Sequence, residues 1–202
     1  MKRAQLYVSS IGEDCCESAR DFGVGIELAQ FCTAARLDGA PPELRTPKLV
    51  LHAGFLPLVY DSEWFVERSV IFWRRLIREV PEGLTVCLEN VLEPEAALLT
   101  QIVRGVDDPR LRICLDLGHA NTFASKEPPE AWLRACAPFL SHVHLHNNEG
   151  GRDLHAALMD GKMDCAALLR LLAQLAPEAT CTLELMQDRP SLRWLEEQEL
   201  LE

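Results

Sequence analysis

Short apolar runs rich in valine, isoleucine and leucine recur along the chain, at residues 5–9, 24–31, 48–55, 84–91, 111–120, 140–147 and 179–186. Each has the length of a strand, and most are followed by a stretch with helical periodicity. The clearest helices span 63–79, 94–104, 129–137 and 164–175. The first starts after Asp61 and Ser62, both good N-cap residues, and Pro94 suits a first helical turn. No linker, short-period repeat or low-complexity segment interrupts the alternation, which predicts one α/β domain over residues 1–202.

The polar residues within these runs are placed with regularity. Glu27, His52, Glu89, Asp116, His144 and Glu184 each lie toward the C-terminal end of a different run, 25 to 40 residues apart, a spacing that fits one βα unit each time. In a TIM-type parallel β/α barrel such positions share the rim where active sites are built. Residues two apart on a strand face the same side, so the next inward layer is Gly25, Val50, Cys87, Cys114, His142 and Thr182, small or apolar for the most part. His142 in that layer suits packing, or a hydrogen bond to a ligand residue, better than ligation itself. His146 shares the parity at the strand exit, where substrate contact and solvent exposure are both open. Trp64, Trp73, Trp132 and Trp194 fall on predicted helices and read as core or sheet-facing residues.

Carboxylates and imidazoles converging on one rim repel or desolvate one another unless a cation sits among them. This mix of oxygen and nitrogen donors suits Zn, Mn, Co or Fe as the divalent ion, and the lack of a thiolate on the rim argues against a cysteine-type structural zinc site. Two further spacings, Asp116-Leu-Gly-His119 and Asp153-Leu-His155, add a second set of donors beside the first. The net charge of -11 offers no basic surface and disfavours nucleic acid as a partner. The N-terminal residues lack the apolar core of a signal peptide, and no apolar run approaches membrane-spanning length, so a cytoplasmic location is expected. The 8 cysteines are scattered without a CxxC motif and read as reduced, mostly buried thiols.

LHAGF, CLENV, CLDLGHAN, HVHLHNNEGGRDLH and the run ending in Glu184 resemble the xylose isomerase-like barrel superfamily, which includes AP endonuclease family 2 and many sugar phosphate isomerase/epimerase-like proteins. The resemblance covers residues of about 20–195. It implies a central metal held by Glu89, Asp116, His144 and Glu184, a second position shared by His52 and Glu89, and a third, matching the endonuclease IV branch, at His119, Asp153 and His155. That branch expects a further histidine ahead of the His52 strand, and none lies between Phe31 and Lys48. The His52 strand resembles the family's fourth, which implies a reduced barrel of about seven strands with one βα unit missing. Asn147 stands where the family usually has Asp, and Met159 where it has Gly.

The resemblance implies two reactions and one inactive alternative. In a metal-dependent sugar or sugar-phosphate isomerase or epimerase, Glu89 and Glu184 act as the acid/base pair through a metal-stabilised enediolate, and His119 or His146 orients hydroxyls. Glu27, His146 and Asn147 are the candidate substrate contacts. In a phosphodiesterase, two or three ions clamp the phosphate and His119, Asp153 and His155 are ligands, so the expected load is one to three ions. The third alternative is a non-catalytic, truncated barrel. An open barrel edge favours a homo-oligomer, and a strictly monomeric sedimentation profile counts against a missing unit.

Overall fold

The computed structural model describes residues 1–28 and 48–202. Its strands are β1 (Leu6–Ser9), β2 (Gly25–Glu27), β3 (Lys48–His52), β4 (Thr85–Glu89), β5 (Leu111–Asp116), β6 (Leu140–Leu145) and β7 (Thr180–Leu183). All pair in parallel in one sheet of order β2-β1-β7-β6-β5-β4-β3. The sheet curls into a reduced TIM-type α/β barrel whose two edges, β2 and β3, are not paired with each other among the described residues. The central strands β5 and β6 are almost wholly buried, whereas β2 and β3 are half-exposed, as edges must be.

The helices are α1 (Cys15–Phe22), α2 (Ser62–Leu76), α3 (Ala97–Val106), α4 (Pro129–Cys136), α5 (Cys165–Leu175) and α6 (Arg189–Glu197). Asp61 caps α2 by accepting from the Trp64 amide at 3.0 Å, and Asp164 caps α5 by accepting from the Ala167 amide at 2.9 Å. Pro94 does not open α3, which begins three residues later. The cause is Glu93, whose buried carboxylate accepts from the amides of Val91 and Leu92 at 2.6 and 3.1 Å and holds that stretch as a loop. Apolar stripes on the helices, such as Leu98, Ile102 and Val106 of α3, pack onto the outer face of the sheet. Trp73 and Trp132 join this core, but Trp64 is 47 % exposed and stacks on Tyr60 instead.

The register is staggered. Glu89 stands opposite Cys114 rather than Asp116, and His144 opposite Thr182, two residues before Glu184. Such a stagger is what tilting strands around a barrel requires, and it keeps residues of one parity on the inner face while stepping the rim along the axis. No helix among the described residues is long and apolar enough to cross a membrane.

Candidate metal centre

Glu89 ends β4, Asp116 ends β5, His144 lies near the end of β6, and Glu184 directly follows β7. One donor atom from each falls within 4.8 Å of the others. His144 Nδ1 lies 3.1 Å from Glu89 Oε1, 3.6 Å from Glu184 Oε1 and 3.9 Å from Asp116 Oδ2. Among the described residues the ion-pair partners of these three carboxylates are all histidines, with no lysine or arginine at hand. Three clustered carboxylates and one imidazole in a buried site therefore fit a hard or borderline divalent cation. Burial pushes the Glu184 carboxyl up, and the charges of Asp116 and Glu89 add to that against the pull of His144.

The positions of these donors are fixed from behind. The Asn90 side chain pairs with the end of β5, accepting from the Asp116 amide at 2.8 Å and donating to its carbonyl at 2.9 Å. Asp116 Oδ1 accepts from the His119 amide at 2.6 Å, and its carboxylate lies 3.0 Å from His146 Nε2. These contacts remove the rotational freedom of Asp116 before any ligand arrives.

A second group, His119, His146, Asp153 and His155, sits beside the first. His119 Nδ1 donates to the Asn90 carbonyl at 2.8 Å, and His155 Nδ1 to the Glu184 carbonyl at 2.7 Å. Because carbonyls only accept, each ring keeps its proton on Nδ1 and turns Nε2 toward Asp153 Oδ2, at 3.2 and 3.1 Å. Two Nε2 atoms facing one carboxylate oxygen need either second protons or a shared cation. Without an ion, burial works against the charged form of His119, but Asp116 and Asp153 carry it up to about 10; the hydrogen bond to Asp153 takes His155 to about 9. His146 joins them with Nδ1 3.6 Å from Asp153 Oδ1, while its ring stacks on His155 at 4.1 Å with planes 20° apart.

Other expected site residues lie elsewhere. His52 comes within 3.5 Å of Glu89 but is 68 % exposed and belongs to no group of three donors among the described residues, so its edge strand leaves the expected second position incomplete. It borders a cavity of about 670 Å³ walled by Tyr60, Trp64 and Phe72, on the α2 side of the sheet. Asn147 is fully buried and committed to structure rather than to substrate. Its amide donates to the carbonyls of Leu158 and Met163 at 2.9 and 3.1 Å, while its oxygen accepts from the amides of Asn148 and Met163. An aspartate has no donor for those carbonyls, which explains the amide at this position. His146 is buried rather than at the solvent edge. Glu27 does not face the mouth but turns inward to His142 and Thr182.

Sequence reasoning missed Asn90 and Lys48. Lys48 starts β3 with inward parity, and its Nζ crosses the interior to the Ser141 carbonyl at 2.6 Å and Thr180 Oγ1 at 2.8 Å. The parity that marks His52 and Val50 also marks Lys48 and was the available signal. All cysteines among the described residues are free thiols, five of them buried.

A family model described as xylose isomerase-like TIM barrel matches residues 15–202. An uncharacterized protein of Methanocaldococcus jannaschii is 26 % identical over 78 % of this chain and 57 % of its own length. A fructoselysine 3-epimerase of Escherichia coli O157:H7 is 22 % identical over 67 % of this chain and 54 % of its own. The chain thus spans a little over half the length of the curated relatives it matches. Among solved structures, a protein of Thermus thermophilus soaked with zinc chloride superposes with a TM-score of 0.71 at 22 % identity, covering 96 % of this chain and 97 % of that one. At that identity the likeness concerns the fold.

Proposed function

The chain belongs to the xylose isomerase-like TIM barrel family, and on that premise we propose that it is a divalent-metal-dependent sugar or sugar-phosphate isomerase or epimerase. The observation that carries this reading is the convergence of Glu89 and Glu184 on one group with Asp116 and His144. Similarity to a protein named as a fructoselysine 3-epimerase supports sugar chemistry. Glu89, Asp116, His144 and Glu184 would hold a divalent ion, which would supply a Lewis acid for a sugar carbonyl and so make the adjoining C–H bond more acidic. Glu89 and Glu184 come from strands well separated around the sheet, so one carboxylate takes the proton from carbon and the other returns one. Burial raises the Glu184 carboxyl above its usual value, a direction that suits a group that must both accept and release a proton. Asp116 takes no part in that exchange, being committed to the His119 amide and to His146. His119 has its Nδ1 on the Asn90 carbonyl, so an orienting contact to a sugar hydroxyl falls to its Nε2, beside Asp153.

The test is solvent-deuterium incorporation, followed by NMR, into a panel of ketohexoses and their phosphates with Zn²⁺, Mn²⁺ or Co²⁺. Exchange at the carbon beside the carbonyl is expected, abolished by chelator and reduced about 10²–10⁴-fold in Glu184→Gln. A second reading, metal-dependent phosphoester hydrolysis, is favoured by the tautomers of His119 and His155, which leave both Nε2 atoms aimed at Asp153. Absence of exchange together with metal-dependent hydrolysis of bis(p-nitrophenyl) phosphate would replace the first reading with the second; absence of both would leave the non-catalytic barrel.

A further inference from the structure

Beneath the central group lies a chain of polar side chains that the proposed reaction does not use. Lys48 Nζ donates to Thr180 Oγ1 at 2.8 Å, and Thr180 Oγ1 is 2.6 Å from His142 Nδ1. His142 Nε2 lies 3.1 Å from Glu27 Oε2, which also accepts from Thr182 Oγ1. The other oxygen of the same carboxylate, Glu27 Oε1, stands 3.4 Å from His144 Nε2. That nitrogen is buried and lacks a well-formed hydrogen bond among the described residues, and the carboxylate within ion-pair distance of it is Glu27. The opposite nitrogen of the ring, Nδ1, faces Glu89, Asp116 and Glu184.

Glu27 reaches this place from the end of edge strand β2, which β1 and β7 separate from β6 in the order β2-β1-β7-β6. Its path is open because the residues it passes are small. Ser9, its register partner on β1, and Thr182 on β7 are both fully buried, and Gly25 below leaves room for the Tyr7 ring, with which a Cβ there would collide. Tyr7 in turn packs edge-on against His142 at 6.5 Å.

We propose that Glu27 is the positioning residue of the metal centre: it receives the Nε2 proton of His144 and so fixes the ring in the tautomer and orientation that present Nδ1 as a ligand. The inference rests on the metal-centre reading above. A ligating histidine keeps its proton on the nitrogen away from the metal, and here the carboxylate facing that nitrogen is the partly buried Glu27. Carboxylates in this role raise the basicity of the ligand and hold its plane. His142 Nε2 and Thr182 Oγ1 face the other oxygen of this carboxylate, Oε2, and hold it in place, leaving Oε1 for His144.

The experiment measures the Zn²⁺ dissociation constant of the full chain by competition with a chromogenic chelator, for wild type, Glu27→Gln and Asp116→Asn. Imidazole ¹⁵N NMR of the zinc-loaded wild type is recorded beside it, so that the question survives if Glu27→Gln fails to fold. Glu27→Gln is expected to bind zinc about 10- to 100-fold more weakly, and His144 to carry its proton on Nε2. Affinity within about twofold of wild type, or a His144 ring protonated on Nδ1, would overturn the role of Glu27 and leave the metal centre standing. Absence of zinc binding by wild type, or equal binding by Asp116→Asn, would remove the metal centre and this inference with it.

Discussion

At the scale of single residues, the strongest constraint outside the metal centre is Asn147. It satisfies two carbonyls and two amides that belong to the loop carrying Asp153 and His155, and Gly161 must lack a side chain because a Cβ there would collide with Asn147 Oδ1. Removing the amide strands buried groups at roughly 1–3 kcal/mol each. Asn147→Ala is therefore expected to lower the melting temperature by several degrees, at about 2–4 °C per kcal/mol for a chain of this size, and an unchanged melt would show the loop to be held by other means. The residues of the central group were legible in the sequence because strand parity and βα spacing are both carried by local order. Glu27, His146 and Asn147 were assigned to substrate because their direction depends on what surrounds them. Small neighbours let Glu27 fold inward, and Gly118 leaves the His146 ring its space, since a Cβ there would overlap the ring.

At the scale of elements, the start of α6 shows a cap supplied from a distance. Asp14, in the segment between β1 and α1, accepts from the amides of Asp188 and Arg189 at 2.9 and 3.3 Å. Asp188, at the capping position itself, is left fully buried with both carboxylate oxygens unpartnered among the described residues. Burial raises its pKa from 3.8 to about 7, and the charge of Asp14 adds to the shift. An acid raised in the folded state binds its proton more tightly there than when unfolded, so its contribution to stability is full below about pH 4 and is lost as pH rises to about 7. Asp188→Asn removes that loss. The variant should match wild type near pH 4 and exceed it by roughly 2–4 kcal/mol at pH 8, and melts with the same offset at both pH values would contradict this. The strands and the four clearest helices were legible from periodicity. Helix α1 was not, because it buries only Ser18 and Ala19, and α6 was marked only by Trp194, since it offers few apolar positions after its opening Arg-Pro.

At the scale of the molecule, the sheet, open between β2 and β3 among the described residues, and the complete central group belong together. The four central donors sit at the ends of β4, β5 and β6 and just after β7, contiguous in the sheet, so a reduced barrel still assembles them. The edges bear the cost: His52, on edge strand β3, is exposed and finds no second donor besides Glu89 among the described residues. The sequence motifs anticipated this shape from the missing histidine ahead of the His52 strand, whereas the stagger that lowers Glu89 relative to Asp116 is a property of strand pairing around the barrel and has no local signature. The group of Glu89, Asp116, His144 and Glu184 is proposed as the catalytic metal site. Its most direct test is elemental analysis of metal per chain, on protein purified without chelator, for wild type, Asp116→Asn and Asp153→Ala. About one tightly held ion is expected, persisting in Asp153→Ala and absent from Asp116→Asn. An ion that survives Asp116→Asn and disappears in Asp153→Ala would contradict it.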